Sequence, residues 1–350
     1  MSKKWQILIS VVTATIFLIS LVPGCAPSTP GGEEPSGGKS TYHWRWADIN
    51  PEDAPSVQAD KRVIQEIKDK SDGRIVIDLY TGGALGDWID NCGEVRRGTI
   101  EMTCVCLPTD YDPRINVVYC PLLTTSWEEA KAAYNSPDGW LFGLLNELMQ
   151  GTGITLLGSF PDGFGCCSFA KQLPPSPMDP DVDKKMKMRV WPSKAAEMWS
   201  ERMGYTPTPI AWAELFTAMQ TGVVDTEVGG TPYLNWAHLR DVTKYLIYYA
   251  DHMEAWFYMI NKELYDGLSS EDQKIIADAC AHEAAGRFEA AEAQDLEYLQ
   301  KFRDLDACEQ VIIPTAEEYA KMKEAIRADV WPQLYDVIGS DIMDYVIANA

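Results

Sequence analysis

Four histidines, nine cysteines and 52 acidic side chains supply the residue types from which catalytic and metal sites are built. Their spacing builds none. There is no Gly-x-Ser-x-Gly elbow, no His-Glu-x-x-His pair and no phosphate-binding loop, so no enzyme is expected. Gly151-Thr152-Gly153 precedes an extended segment instead of following one and lacks a third glycine, which removes a dinucleotide site; no cofactor is expected. Asp179, Asp181 and Asp183 alternate as in a calcium loop. Lys184 and Lys185 follow where such a loop needs a glycine and a closing glutamate, so the segment reads as solvated. His43, His238, His252 and His282 are scattered, each read as a surface or core histidine. One pairing stands out. Met188-Arg189-Val190-Trp191 alternates, so Arg189 and Trp191 share one face of a short strand, setting a planar five-donor cation beside an indole.

The elements that must position that face alternate between periods of two and 3.6. Tyr42, Trp44 and Trp46 alternate with His43 and Arg45 as a strand; Val57, Val63, Ile64 and Ile67 recur at helical spacing; Ile75, Ile77 and Leu79 alternate again. Strand, helix and strand make a βαβ unit with a parallel pair. Helices are predicted over 89–97, 127–134 and 139–150, and strands over 101–106 and 154–157. A second α/β stretch carries a helix over 195–203, a strand over 207–212, a helix over 214–220 and a strand over 223–227. From Ser269 one helix is predicted to about Phe302, with Ser270 and Gln273 as a capping box. At over 30 residues it would span roughly 45–50 Å and lie across two domains.

The 350 residues carry a net charge of −22 with no basic stripe, which excludes nucleic acid as a partner. Lys3 and Lys4 precede an apolar run over 7–22, the pattern of a signal peptide over 1–24. Leu21-Val22-Pro23-Gly24-Cys25 resembles a bacterial lipobox, which implies lipidation of Cys25 and export to the periplasm or cell surface with the lipid as the sole membrane contact. The rest of 25–40 is rich in Pro and Gly, a flexible tether with a reach on the order of 20 Å. Export permits disulfides, but Cys104-x-Cys106 and vicinal Cys166-Cys167 are poor spacings for local bridges. Mostly buried free thiols are expected, with room for one or two bridges.

Residues 184–230 are the most informative stretch. Met188-Arg189-Val190, Gly204 with Pro207-Thr208-Pro209, Trp212-Ala213-Glu214-Leu215-Phe216-Thr217-Ala218-Met219-Gln220 and Thr221-Gly222-Val223-Val224-Asp225 closely resemble the extracytoplasmic solute receptors of TRAP transporters, the DctP-type substrate-binding proteins. Gly82-Gly83-Ala84-Leu85-Gly86, Arg97-Gly98-Thr99-Ile100-Glu101-Met102 and Asn261-Lys262 through Gln273 fit in order. The resemblance implies a two-domain α/β, periplasmic-binding-protein-like (type II-like) fold with a cleft, a hinge and a helix spanning both domains. Residues 41–165 with about 255–294 would form domain I, and about 166–254 with 295–350 domain II.

It also implies that Arg189 pairs with the carboxylate of an organic acid, delivered to membrane permease subunits. Trp212 is where the family often sets a ring against the ligand. Trp191, Glu214, Gly229 and Tyr233 complete the expected ligand-binding set. Two departures matter. The second arginine that many members carry after a Gly-Phe pair is absent, since Gly163-Phe164 is followed by Gly165, and the family's ligand-contacting Asn is Gly229 here. Two missing polar partners favour a small or apolar monocarboxylate, aromatic acids included, over a highly polar ligand. A second reading takes a cation-complexed 2-oxo or 2-hydroxy acid, with Glu254 or Glu227 on the ion; an exported α/β hydrolase and a ligand sensor are the other classes.

Overall fold

The computed structural model describes residues 41–350; the predicted signal segment, Cys25 and the tether lie outside the described residues. Strands β1 (Tyr42–Ala47), β2 (Ile75–Tyr80), β3 (Met102–Val105), β4 (Ile154–Phe164), β5 (Cys167–Phe169), β6 (Lys187–Val190), β7 (Thr206–Pro209), β8 (Thr226–Glu227), β9 (Tyr245–Ile247), β10 (Met253–Asn261) and β11 (Gln310–Ile312) form two sheets. Their orders are β2-β1-β3-β10-β4 and β11-β9-β5-β8-β6-β7. The predicted βαβ unit is present: β1 and β2 run parallel, Tyr42 opposite Ile75, joined by the helix Pro55–Lys70. Both sheets are mixed, because β10 runs antiparallel to β3 and β4, and β5 antiparallel to β8 and β9.

Strand β10 ties the first sheet to two cores. Trp256, Tyr258 and Ile260 face Val57, Val63 and Ile276. Ala255, Phe257 and Met259 face Leu141, Phe142 and Leu145. Covered on both sides, the strand reads as a nearly continuous apolar run, and burial of each large side chain stabilises the sheet by about 1.5–3 kcal/mol. The chain passes between sheets at Gly165-Cys166 and again over residues 248–252. The two crossings hold each other: Gly165 N donates to the His252 carbonyl at 2.9 Å, and Ala250 N to the Gly165 carbonyl at 2.9 Å. This sets His252 and Glu254 beside β6.

Several elements differ from their sequence reading. The long helix is two helices, Ser270–Ala285 and Arg287–Arg303, broken at Gly286. Glycine is the residue a helix interior tolerates worst after proline. The cap is Ser269, whose hydroxyl accepts from Asp272 N at 3.1 Å, one residue before the predicted box. The second helix still reaches both sheets: Arg287 donates to the Pro161 carbonyl of β4, and Leu299 and Phe302 pack with Leu246 of β9. β7 stops at Pro209 and Trp212 opens the helix Trp212–Thr221; β7 is an edge strand, where prolines lacking N–H groups are tolerated. β8 is short because Val223 N turns back to the Ala218 carbonyl at 2.9 Å, closing the preceding helix.

The sequence places residues 295–350 with the second domain. The last two helices, Trp331–Ile338 and Ser340–Asn349, lie instead beside the first sheet. Trp331 Nε1 donates to the Pro121 carbonyl and Tyr345 OH to the Trp140 carbonyl, while Leu334, Ile338 and Val346 join the core of Leu141 and Leu145. All eight described cysteines are free thiols, and all but Cys106 are buried. No helix of the described residues is long and apolar enough to cross a membrane.

Candidate functional site

A cleft lined by residues of both sheets opens between them. Arg189 of β6, Glu254 and Trp256 of β10, Gly229 after β8, Ile49 after β1 and the loop residue Trp191 line it, with Trp88, Cys106, Tyr119, Trp212 and Leu234. Alternation explains most of these placements. Glu254 and Trp256 sit two apart on one face of β10, and Arg189 and Trp191 two apart at the end of β6.

Arg189 is 2% exposed. Its Nε donates to the Ile210 carbonyl at 2.9 Å and its Nη1 to the Val228 carbonyl at 3.2 Å. The guanidinium carbon lies 5.2 Å from the Trp212 ring centroid. Those contacts fix the side chain without neutralising it, and among the described residues no carboxylate stands within ion-pair distance. Burial lowers its pKa to about 10, so it stays charged at neutral pH. Desolvation of an unpaired charge is costly, and an entering anion would relieve that cost while the exposed edge of the fork takes its two oxygens.

On the opposite wall, Glu254 Oε1 accepts from Trp256 Nε1 at 2.8 Å, and Oε2 lies 3.3 Å from His252 Nε2. His252 Nδ1 is 2.8 Å from Asp251 Oδ2. Burial pulls the imidazole down, but the two carboxylates outweigh burial and hold it up at about 10. Trp191 packs edge-on to Tyr119 with centroids 5.2 Å apart and tilts against His252 at 5.2 Å. Its buried indole N–H has no partner among the described residues.

Of the residues singled out from sequence, Arg189, Trp191, Trp212 and Gly229 come together in the cleft with Glu254. Glu214 is exposed in the first turn of its helix and does not line it. Tyr233 is buried in the adjoining core, its ring edge-on to Tyr298 at 5.1 Å. Glu227 is fully buried and used internally, accepting from Ser168 N, Asn235 Nδ2 and Gly230 N; burial raises its pKa to about 7. Among the described residues no group of three His, Cys, Asp or Glu is placed to hold a metal ion. Sequence reasoning missed Trp88, Tyr119 and Trp256. The first two come from distant segments; Trp256 carried a signal, its period-two spacing from Glu254.

The model of bacterial extracellular solute-binding protein family 7, DctP, matches residues 46–336. The chain belongs to this family. The resemblance to TRAP extracytoplasmic solute receptors read from sequence is thereby borne out. Among curated relatives of this receptor, the ectoine/5-hydroxyectoine-binding periplasmic protein UehA of Ruegeria pomeroyi is 26% identical over 303 residues, 85% of this chain and 86% of that one. A TRAP periplasmic solute-binding protein from Desulfovibrio salexigens, solved with orotic acid, superposes with a TM-score of 0.78 at 21% identity, covering 88% of this chain and 97% of that one. The sugar acid binding protein of Advenella mimigardefordensis, in complex with galactonate, gives 0.78 at 20% identity, covering 89% and 100%. The fold is shared with both.

At Gly229 and Gly165 the surroundings leave no room for a side chain. Gly229 has φ +114°, and a Cβ there would stand 2.9 Å from Trp191 Cε3 and 3.4 Å from Arg189 Nη1. Trp191 occupies the space an asparagine side chain would need. At Gly165 a Cβ would meet Asp251 Oδ1 at 2.5 Å and His252 Nδ1 at 2.6 Å. The Asp251–His252 pair fills the space beside Gly165.

Proposed function

We propose that this receptor binds a small organic acid in the cleft, its carboxylate on Arg189 and the rest of the molecule against Trp191 and Trp212, and delivers it to a TRAP-type permease. The observation that carries this reading is a guanidinium, nearly fully buried in a cleft, with carbonyl contacts and no carboxylate partner. A planar fork suits a carboxylate and a lone ring face suits apolar bulk. The aromatic lining favours monocarboxylates over acids with many hydroxyls, whose polar groups would find few partners. Residues 41–165 with about 255–294 would move against about 166–254, turning at Gly165 and residues 248–252 to shut water out. Cys25, once lipidated, would hold the body at the membrane through the 25–40 tether.

A thermal-shift screen of monocarboxylates, dicarboxylates, sugar acids, ectoine, neutral sugars and amines tests the reading. Carboxylates should raise Tm and Arg189→Lys should abolish the rise. Stabilisation by neutral sugars and by no carboxylate would overturn it.

A further inference from the structure

The cleft holds two fixed charges of opposite sign. Arg189 lines one wall and Glu254 the other, and Glu254 is 6% exposed. An acid as sole ligand needs only the first. The second is not consumed inside the protein: its partners are one indole N–H and His252, and His252 is shared with Asp251. One imidazolium between two carboxylates leaves that side of the cleft with a net charge of about −1. Arg189 offsets it. The four groups together sum to about zero before any ligand enters, and Glu227, buried close to Arg189, pulls the balance further negative as it ionises. A bare carboxylate anion would therefore leave excess negative charge in a desolvated site, where it is poorly screened.

The remaining lining meets a complementary need. The indoles of Trp88, Trp191, Trp212 and Trp256 surround the space between the charges. Indole faces carry negative potential and attract cations, alkylated ammonium groups above all.

We propose, building on the Arg189–carboxylate reading, that the ligand is a zwitterion: a carboxylate on Arg189 joined through a short spacer to a cationic nitrogen held between Glu254 and the tryptophans. Such a ligand adds no net charge to the site. It satisfies the guanidinium and the buried carboxylate at once, and Glu254 becomes the residue that separates zwitterions from plain acids.

Charge-isosteric pairs test this by titration calorimetry on the wild-type protein. Trimethylammonioacetate is compared with 3,3-dimethylbutanoate, which replaces the cationic nitrogen by carbon, and 1-methylpyridinium-3-carboxylate with 3-methylbenzoate. Choline and 1-methylpyridinium supply the cation without the carboxylate. In at least one pair the zwitterion should bind about tenfold or more tighter than its carbon isostere, and Glu254→Gln should erase the difference by weakening the zwitterion. Plain acids binding as tightly as their zwitterions would overturn the proposal and leave the carboxylate reading standing. Cations binding where no carboxylate does would remove both. Absence of binding by every zwitterion also overturns it. The wild-type comparison decides the matter even where the Glu254 variant fails to fold.

Discussion

Two arginines in this protein are buried, stacked on aromatic rings and bonded to backbone carbonyls, yet they differ in their counter-charge. Arg287 is 7% exposed, donates from Nε to the Pro161 carbonyl at 2.9 Å and from Nη2 to Gln294 Oε1 at 3.0 Å, and lies 4.1 Å from the Phe160 centroid. It also stands 3.8 Å from Asp162, a buried carboxylate that in turn accepts from Thr231. Arg189 has the carbonyls and the ring and lacks the carboxylate. A buried charge that is structural is neutralised by the chain itself, whereas one that serves binding leaves the neutralising group to the ligand. Counting hydrogen bonds would rate the two sites alike. Looking for the counter-charge separates them.

The largest effect expected from breaking this contrast is at Arg287. Arg287→Met should lower the unfolding free energy by about 3 kcal/mol, because Asp162 keeps its burial and loses its cation; urea denaturation would measure it. Asp162, pushed up by burial to about 6, should then take up a proton at still higher pH. A loss below about 1 kcal/mol would mean the pair is not structural.

Arg189→Lys should cost about 2–4 kcal/mol of ligand binding, since a point charge cannot reproduce the two-pronged pair. Apo stability should hardly change. A fall in apo Tm as large as that of Arg287→Met would erase the distinction between the two arginines. Trp212→Ala should cost about 1–3 kcal/mol of binding, more for ligands with a ring or an alkylated nitrogen than for small aliphatic acids. Calorimetry on a matched ligand pair checks the difference.

A last contrast concerns His252, held up from its usual 6.5 to about 10 because Asp251 and Glu254 outweigh its burial. A raised value means that the folded state keeps a proton the unfolded chain releases. This contribution to stability is whole below about pH 6.5 and is lost as pH climbs through about 10. His252→Gln should flatten the fall of Tm across that window relative to wild type. An unchanged slope would mean the imidazole is neutral and that the opposite wall carries more negative charge than its neighbours imply.

Much of the fold was legible because each element carries its own period. The alternation of Tyr42, Trp44 and Trp46, the helical spacing from Val57 to Ile67 and the helix over 127–134 all follow from local rules. The reading failed where local rules compete with a break or a tertiary contact, as at Gly286 and at the C-terminal helices, whose apolar faces could have covered either sheet. Within the site, Arg189 and Trp191 were legible as a pair because period two puts neighbours on one face. Trp212 was legible through the family resemblance alone. Trp88 and Tyr119 were not legible, since nothing in their own segments says which strand they will meet.

By itself the sequence determined the α/β alternation, the family and the pairing of Arg189 with Trp191 on one face, because these depend on residue type and short spacing. The tertiary structure alone decided that Glu254, with His252 against it, lines the same cleft as Arg189, that Glu214 points to solvent, and that Trp191 takes the room a side chain at position 229 would need. Charge balance and steric exclusion depend on distances between segments far apart in the chain. Only the packing of β6 against the crossings at Gly165 and residues 248–252 sets those distances.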